Sequence, residues 1–346
     1  MEQVKEYYAK WTEVPQPRKI KTAKLIAFVS YFLFLLLLVV YAFGRTGKKT
    51  VTVVPTILFT DGTPYNLEVV RYLAQRRDVV IGMIVVATNA LADAQLKANA
   101  TSVTTLVSAL QSEGLKTRVP DVYSSYDAAT DSFLGPLDAK LASTTVNFLI
   151  VGPCTDAAYF LQQYAGRRGN VNKIYVAGGA FNTAGNAKFL NTSITGAERN
   201  FYLDPAAADY VVAMKHARPV VMLPLDAALT WTSSAYSAIV SNSGTTSASA
   251  TAVAEGLRWY YDAVDKTKRV TVGMAAAAYA VDTEVQTGVK VTTIPVRVYT
   301  SAADARYGQS FRPPASAEAK LVTVVLSLNE GTFFSHLTNV DTLALA

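Results

Sequence analysis

The stretch TILFTDGTPYNLEVVRYL, residues 56–73, opens the folded part of the chain. Thr56–Thr60 suits a buried strand and ends on an acid, Asp61. Gly62-Thr63-Pro64 then punctuates the chain as a turn. Leu67, Val69, Val70 and Leu73 follow with the spacing of one helix face. Strand, turn and helix in that order begin an α/β unit. In open α/β sheets ligands bind outside the carboxyl ends of the strands, which makes Asp61 a candidate site residue. The competing reading is a turn aspartate that helps the chain leave the strand.

The same alternation continues downstream. Val79–Thr88 and Thr145–Val151 are continuous apolar runs, as strands buried on both faces require. Lys173–Ala177 and Pro219–Leu225 are further strands, and Arg118–Val122 is a short one. Helices are expected over Asp93–Ser112, Asp156–Tyr164 and Pro205–Lys215, with Tyr123–Lys140 a loop holding a helical turn. Beyond Ser233 the pattern becomes more helical. Ser241–Ser249 is a polar, low-complexity loop, and Glu255–Val264 and Gly273–Val281 are helices. Val289–Val298 and Leu321–Leu328 are strands expected to pair as an appended β element. The fold class is therefore α/β, a mostly parallel sheet with helices on both faces.

The formal charge of +6 is unevenly spread. Residues 1–50 hold nine Lys/Arg against three Asp/Glu, while residues 51–346 hold 23 of each. A neutral domain without a basic stripe argues against nucleic acid as a partner. Cys154 stands alone, which excludes an intrachain disulfide. His216 and His336 are the only histidines, too few for a Cys/His metal cluster, and both are expected to cover surface.

Residues 25–44, LIAFVSYFLFLLLLVVYAFG, carry no charge. At ~1.5 Å per residue a helix of this length covers the ~30 Å hydrocarbon core of a bilayer. Arg18, Lys19, Lys21 and Lys24 flank it on one side and Arg45, Lys48 and Lys49 on the other. The expected organisation is an N-terminal tail (1–24), one transmembrane helix (25–44), a linker (45–55) and a single α/β domain (56–346). The protein is then a single-pass membrane protein with the lipid bilayer as one partner.

Several further segments share one pattern. Thr60-Asp61, Gly82 to Asn89, Gly152-Pro-Cys-Thr155-Asp, Tyr175 to Asn186, Ala197-Glu198-Arg-Asn200-Phe-Tyr-Leu-Asp204-Pro205 and Arg306-Tyr-Gly308-Gln309 occur in that order. Together they resemble the inosine-uridine preferring nucleoside hydrolases over about 56–340. The resemblance implies that fold, and a calcium ion held by an N-terminal acid cluster and a later aspartate. Such an ion binds the attacking water and the ribose hydroxyls. It also implies a substrate pocket with Asp61, Asn89, Asn186, Glu198 and Asn200.

The family's D-T-D-x-G-x-D-D cluster reads here as Phe59-Thr60-Asp61-Gly62-Thr63-Pro64-Tyr65-Asn66, and its later His/Trp-Asp as Gly273-Met274. The remaining metal candidates are Asp61, the Asn66 amide oxygen and the Thr155 carbonyl, a weak set for a cation that takes 6–8 oxygens. The expectation is thus a lost calcium site, no cofactor, and a vestigial pocket in a domain that is not an enzyme. Its role is then that of an accessory subunit among the other subunits of a membrane complex, placed at the mitochondrial inner membrane with a respiratory or ATP synthase assembly. The alternative is a divergent nucleoside N-ribohydrolase, or a nucleoside-binding sensor, anchored to a membrane.

Overall fold

A computed structural model of the chain describes residues 25–34, 54–76, 78–87, 94–115, 122–124, 133–187, 193–213, 218–241, 247–261, 270–314 and 320–338. The chain divides after Thr52 into two compact units. In the first, residues 25–34 are helical. Their large apolar side chains, among them Leu25, Phe28 and Phe34, are exposed. The rest of the expected membrane span, 35–44, lies outside the described residues. Among the described residues no helix is long and apolar enough to cross a membrane.

Among the described residues the second unit has ten strands: β1 (Thr56–Thr60), β2 (Ile81–Val86), β3 (Val122–Ser124), β4 (Val146–Ile150), β5 (Val171–Ala177), β6 (Val220–Leu223), β7 (Lys290–Pro295), β8 (Arg297–Val298), β9 (Ser310–Phe311) and β10 (Leu321–Ser327). Eight of them form one sheet in the order β3-β2-β1-β4-β5-β6-β10-β7, and β8 pairs with β9 separately. All neighbours in the large sheet run parallel except β7, which is antiparallel to β10. The strands read as solid apolar runs because both faces of the sheet are covered.

Successive side chains alternate between two cores, as the period of two in a strand dictates. Leu58, Ile84, Val86, Leu149 and Val221 face one core. Ile57, Phe59, Met83, Val85, Phe148 and Met222 face the other. Helices α1 (Leu67–Gln75), α2 (Ala94–Leu110), α8 (Ala248–Trp259), α9 (Val272–Val281) and α10 (Glu330–Thr338) contribute buried side chains to the first core. Helices α3 (Leu134–Ser143), α4 (Thr155–Gln163), α5 (Arg199–Leu203) and α6 (Pro205–Ala213) contribute to the second. Helix α7 (Ser233–Ser241) adds Ala235 to the first core. An α/β fold with a mostly parallel, doubly covered sheet is what the strand and helix pattern required.

Three expectations change. The appended β element is part of the main sheet: β10 pairs in parallel with β6 and carries β7 at the edge. The segment read as a loop over Tyr123–Lys140 contains most of α3, whose Leu134, Leu137 and Leu141 share one buried face. The polar run Ser241–Ser249 is partly helix: the Ser247 side chain caps α8 by accepting from the Ala250 N–H, so the helix starts seven residues before Glu255. Of the short strand expected over Arg118–Val122, residues 118–121 lie outside the described residues, and β3 pairs with β2 from Val122 to Ser124.

Candidate functional site

The strand order places β1 and β4 side by side, although the chain has gone outward through β2 and β3 before returning to β4. Loops leaving the carboxyl ends of β1 and β4 therefore diverge and leave a crevice, the usual ligand position in a doubly wound sheet. Asp61 follows β1 directly and Val151 follows β4. The two loops touch at Gly152, where a Cβ would come within 2.6 Å of the Asp61 backbone nitrogen.

Asp61 has no solvent exposure. Its Oδ1 accepts from the Thr63 N–H (3.1 Å), the Thr63 hydroxyl (2.8 Å) and Asn66 Nδ2 (2.8 Å). Its Oδ2 accepts from Arg199 Nη1 at 2.5 Å. The Thr63 bonds are those of an aspartate turn, so Asp61 shapes the loop as well as anchoring the site. Burial works against the Arg199 charge. Tyr65, Asp61 and Glu198 outweigh it and raise the guanidinium pKa above its ordinary value.

Asn66 is buried and also donates through Nδ2 to the Val151 carbonyl, at 3.1 Å. Both partners of Nδ2 are acceptors, which fixes the orientation of the amide. Among the described residues Asn66 Oδ1 has no hydrogen-bond partner. It faces the Cβ-free side of Gly273, where a Cβ would approach it to 2.6 Å.

Glu198 caps α5, and its Oε2 accepts from the N–H groups of Asn200 (2.9 Å), Phe201 (3.1 Å) and Gly179 (3.3 Å). Burial lifts its pKa to about 7 against the pull of those N–H groups and Arg199. Asn200 Nδ2 joins the ends of β4 and β5 by donating to the carbonyls of Val151 and Ala177. Asn186 Oδ1 accepts from the Arg199 N–H at 2.7 Å. The Tyr65 and Tyr260 rings meet with centroids 4.2 Å apart. Burial pushes the Tyr65 hydroxyl up to about 12, so it stays protonated.

These groups surround a cavity of about 40 Å³, room for water-sized occupants. Asn66, Asn186, Glu198 and Asn200 line it, together with Tyr65, Arg199, Tyr260, Thr271 and Gly273. Asp61 stands behind them, bonded to Asn66 and Arg199. Asn89 lies outside the described residues. Thr155 is not at the cavity, and its hydroxyl donates to Asp204 Oδ2. Met274 is buried in the core. His336 is bonded to Asp282 at 2.6 Å, and His216 lies outside the described residues. Sequence reasoning did not single out Arg199. Its signal was an arginine between Glu198 and Asn200, where the resembling pattern has phenylalanine.

The donor set does not suit a calcium ion. Such an ion takes 6–8 oxygens, largely carboxylate and carbonyl. Here both carboxylates are already engaged: Asp61 accepts from four donors, one of them the Arg199 guanidinium on its second oxygen, and Glu198 Oε2 accepts from three backbone N–H groups.

The family model described as inosine-uridine preferring nucleoside hydrolase matches residues 69–335. Solved structures share the fold. The chain is similar to an inosine-uridine preferring nucleoside hydrolase from Bacillus anthracis, at 16% identity and a TM-score of 0.64 over 84% of this chain and 99% of that one. It is similar to a plant nucleoside hydrolase at 15% identity and TM-score 0.63, over 84% and 99% of the two chains. A purine-preferring ribonucleoside hydrolase from Gardnerella vaginalis matches at 18% identity and TM-score 0.61, over 84% and 100%. Comparison by sequence with curated proteins gives no match.

The expectation that the domain is not an enzyme is overturned by the family match. It rested on carboxylates missing at 59, 65, 66 and 274. It gave too little weight to Glu198, a buried carboxyl at the cavity that titrates near neutrality. With most of its length matched, the chain belongs to the inosine-uridine preferring nucleoside hydrolase family.

Proposed function

We propose that the chain is a divergent nucleoside N-ribohydrolase, held at a membrane by residues 25–44. The observation that carries the reading is a meeting of groups at the switch point of the sheet. Glu198, a carboxyl poised near neutrality, and Asn66, whose buried amide oxygen is unpaired among the described residues, line one cavity with Arg199 and two aromatic rings. A buried acceptor left unpaired costs roughly 1–3 kcal/mol, and a sugar hydroxyl donating to Asn66 Oδ1 removes that cost. The Tyr65 and Tyr260 rings suit a flat base. The cavity is smaller than a nucleoside, so binding requires its walls to move apart.

In hydrolysis the N-glycosidic bond breaks with its electron pair leaving on the base, and the sugar carbon passes through an oxocarbenium-like state. Water attacks that carbon. Its proton passes to the Glu198 carboxylate and the departing base takes a proton from solvent. A group with a pKa near the working pH is well matched to accept that proton. The clamp of three N–H groups on Oε2 holds the side chain in place and leaves Oε1 outside it. Membrane attachment is supported by the uncharged run 25–44 and by the exposed apolar side chains over 25–34.

The test uses the full chain in mild detergent with inosine or uridine, assayed for free ribose. Ribose release that drops roughly 10²–10⁴-fold in Glu198→Gln supports the reading. Release no greater than that of Glu198→Gln rules it out.

A further inference from the structure

We propose that Arg199 is the site's built-in cation: its guanidinium stands in for a divalent ion beside Asp61, and the pocket receives a sugar's hydroxyls on Arg199 and Asn66 without a metal. Three observations converge on this assignment. The carboxylate best placed to hold an ion is saturated, with three donors on Oδ1 and Arg199 Nη1 at 2.5 Å from Oδ2. Arg199 lines the cavity, and among the described residues only Nη1 of its guanidinium is engaged, so the other N–H groups remain as donors. Asn66 lines the same cavity, and its buried Oδ1 is an acceptor without a partner among the described residues, set against Gly273, where there is no side chain to crowd it.

A fixed donor and a fixed acceptor on one wall match a vicinal diol, whose hydroxyls both give and accept hydrogen bonds. A guanidinium is always charged and planar, so it presents its donors in a set geometry. A calcium ion at the same place would need Asp61 to release Arg199, leaving two cations in competition for one buried carboxylate. The part of the proposal that concerns sugar binding rests on the hydrolase reading. The replacement of the ion does not.

The experiment is calorimetric titration of the full chain in detergent, first with CaCl₂ alone, then with inosine and uridine in excess EDTA and in CaCl₂. The expected result is no calcium binding up to millimolar concentration, and nucleoside affinity equal within about twofold in the two buffers. Arg199→Lys keeps the charge and loses the planar fork, and is expected to weaken nucleoside binding at least tenfold at an unchanged melting temperature. The double change Asp61→Asn with Arg199→Gln removes both charges of the buried pair together and is expected to abolish binding in a folded protein. Calcium binding at micromolar concentration, or nucleoside binding that appears only with calcium, overturns the proposal. Absence of nucleoside binding in both buffers overturns the hydrolase reading, while the calcium titration still decides whether Arg199 has taken the ion's place.

Discussion

Arg199 Nη1 lies 2.5 Å from Asp61 Oδ2, and the Asp61 side chain has no exposure to solvent. The two residues are 138 positions apart, so the contact ties the loop after β1 to the start of α5. Removing one member of a buried ion pair leaves an uncompensated charge and costs about 3–5 kcal/mol. Arg199→Met is expected to lose that much in urea denaturation, and the double variant with Asp61→Asn to lose clearly less than the sum of the two single changes. Additive losses would mean that the pair is not energetically coupled.

Gly273→Ala places a methyl group 2.6 Å from Asn66 Oδ1, closer than packing allows. Overpacking of this kind typically costs about 1–3 kcal/mol. It also covers the acceptor offered to a ligand. The expected outcome is a modest fall in melting temperature with nucleoside binding lost. Unchanged binding would remove Asn66 Oδ1 from the recognition scheme.

Glu198 titrates at about 7, raised by burial and held down by three backbone N–H groups and Arg199. Tyr65 and Cys154 also sense its charge. If its carboxylate accepts the proton from water, ribose release rises as pH climbs through about 7 and levels off above it. A rate independent of pH between 5.5 and 8.5 would contradict that role.

Glu68, in α1, is buried, and among the described residues neither carboxyl oxygen has a hydrogen-bond partner. Burial pushes its pKa from 4.5 to about 8, opposed by Arg71. The folded chain therefore holds this proton more tightly than the unfolded one. The resulting stabilisation is complete below about 4.5 and is lost as pH rises through about 8. The slope approaches 1.4 kcal/mol per pH unit within that window. Glu68→Gln, neutral at every pH, is expected to flatten this fall and to be more stable than the natural chain at pH 8.5. Parallel stability curves for the two would show that Glu68 is not buried as a neutral acid.

The strands were legible because a parallel sheet covered on both faces demands unbroken apolar runs, and Val79–Thr88 and Thr145–Val151 supply them. Edges were less so. Leu134, Leu137 and Leu141 have helical spacing, but Gly135 and Pro136 between them read as a loop. Asn186, Glu198 and Asn200, which the fold brings to one cavity, were singled out by their motif order, while Asn89 lies outside the described residues. Arg199 was visible in the same segment and passed over, because its charge acquires meaning only when the fold sets it beside Asp61. The small size of the cavity and the unpaired oxygen of Asn66 are properties of packing, and no pattern along the chain encodes them.

The central claim is hydrolysis of nucleosides at a site whose cation is Arg199. It is tested most directly by the rate of ribose release from inosine and uridine in excess EDTA, compared with the rate in CaCl₂ and with Glu198→Gln. Equal release in the two buffers and its loss in the variant are expected. Release that requires calcium, or none above the variant in either buffer, would contradict it.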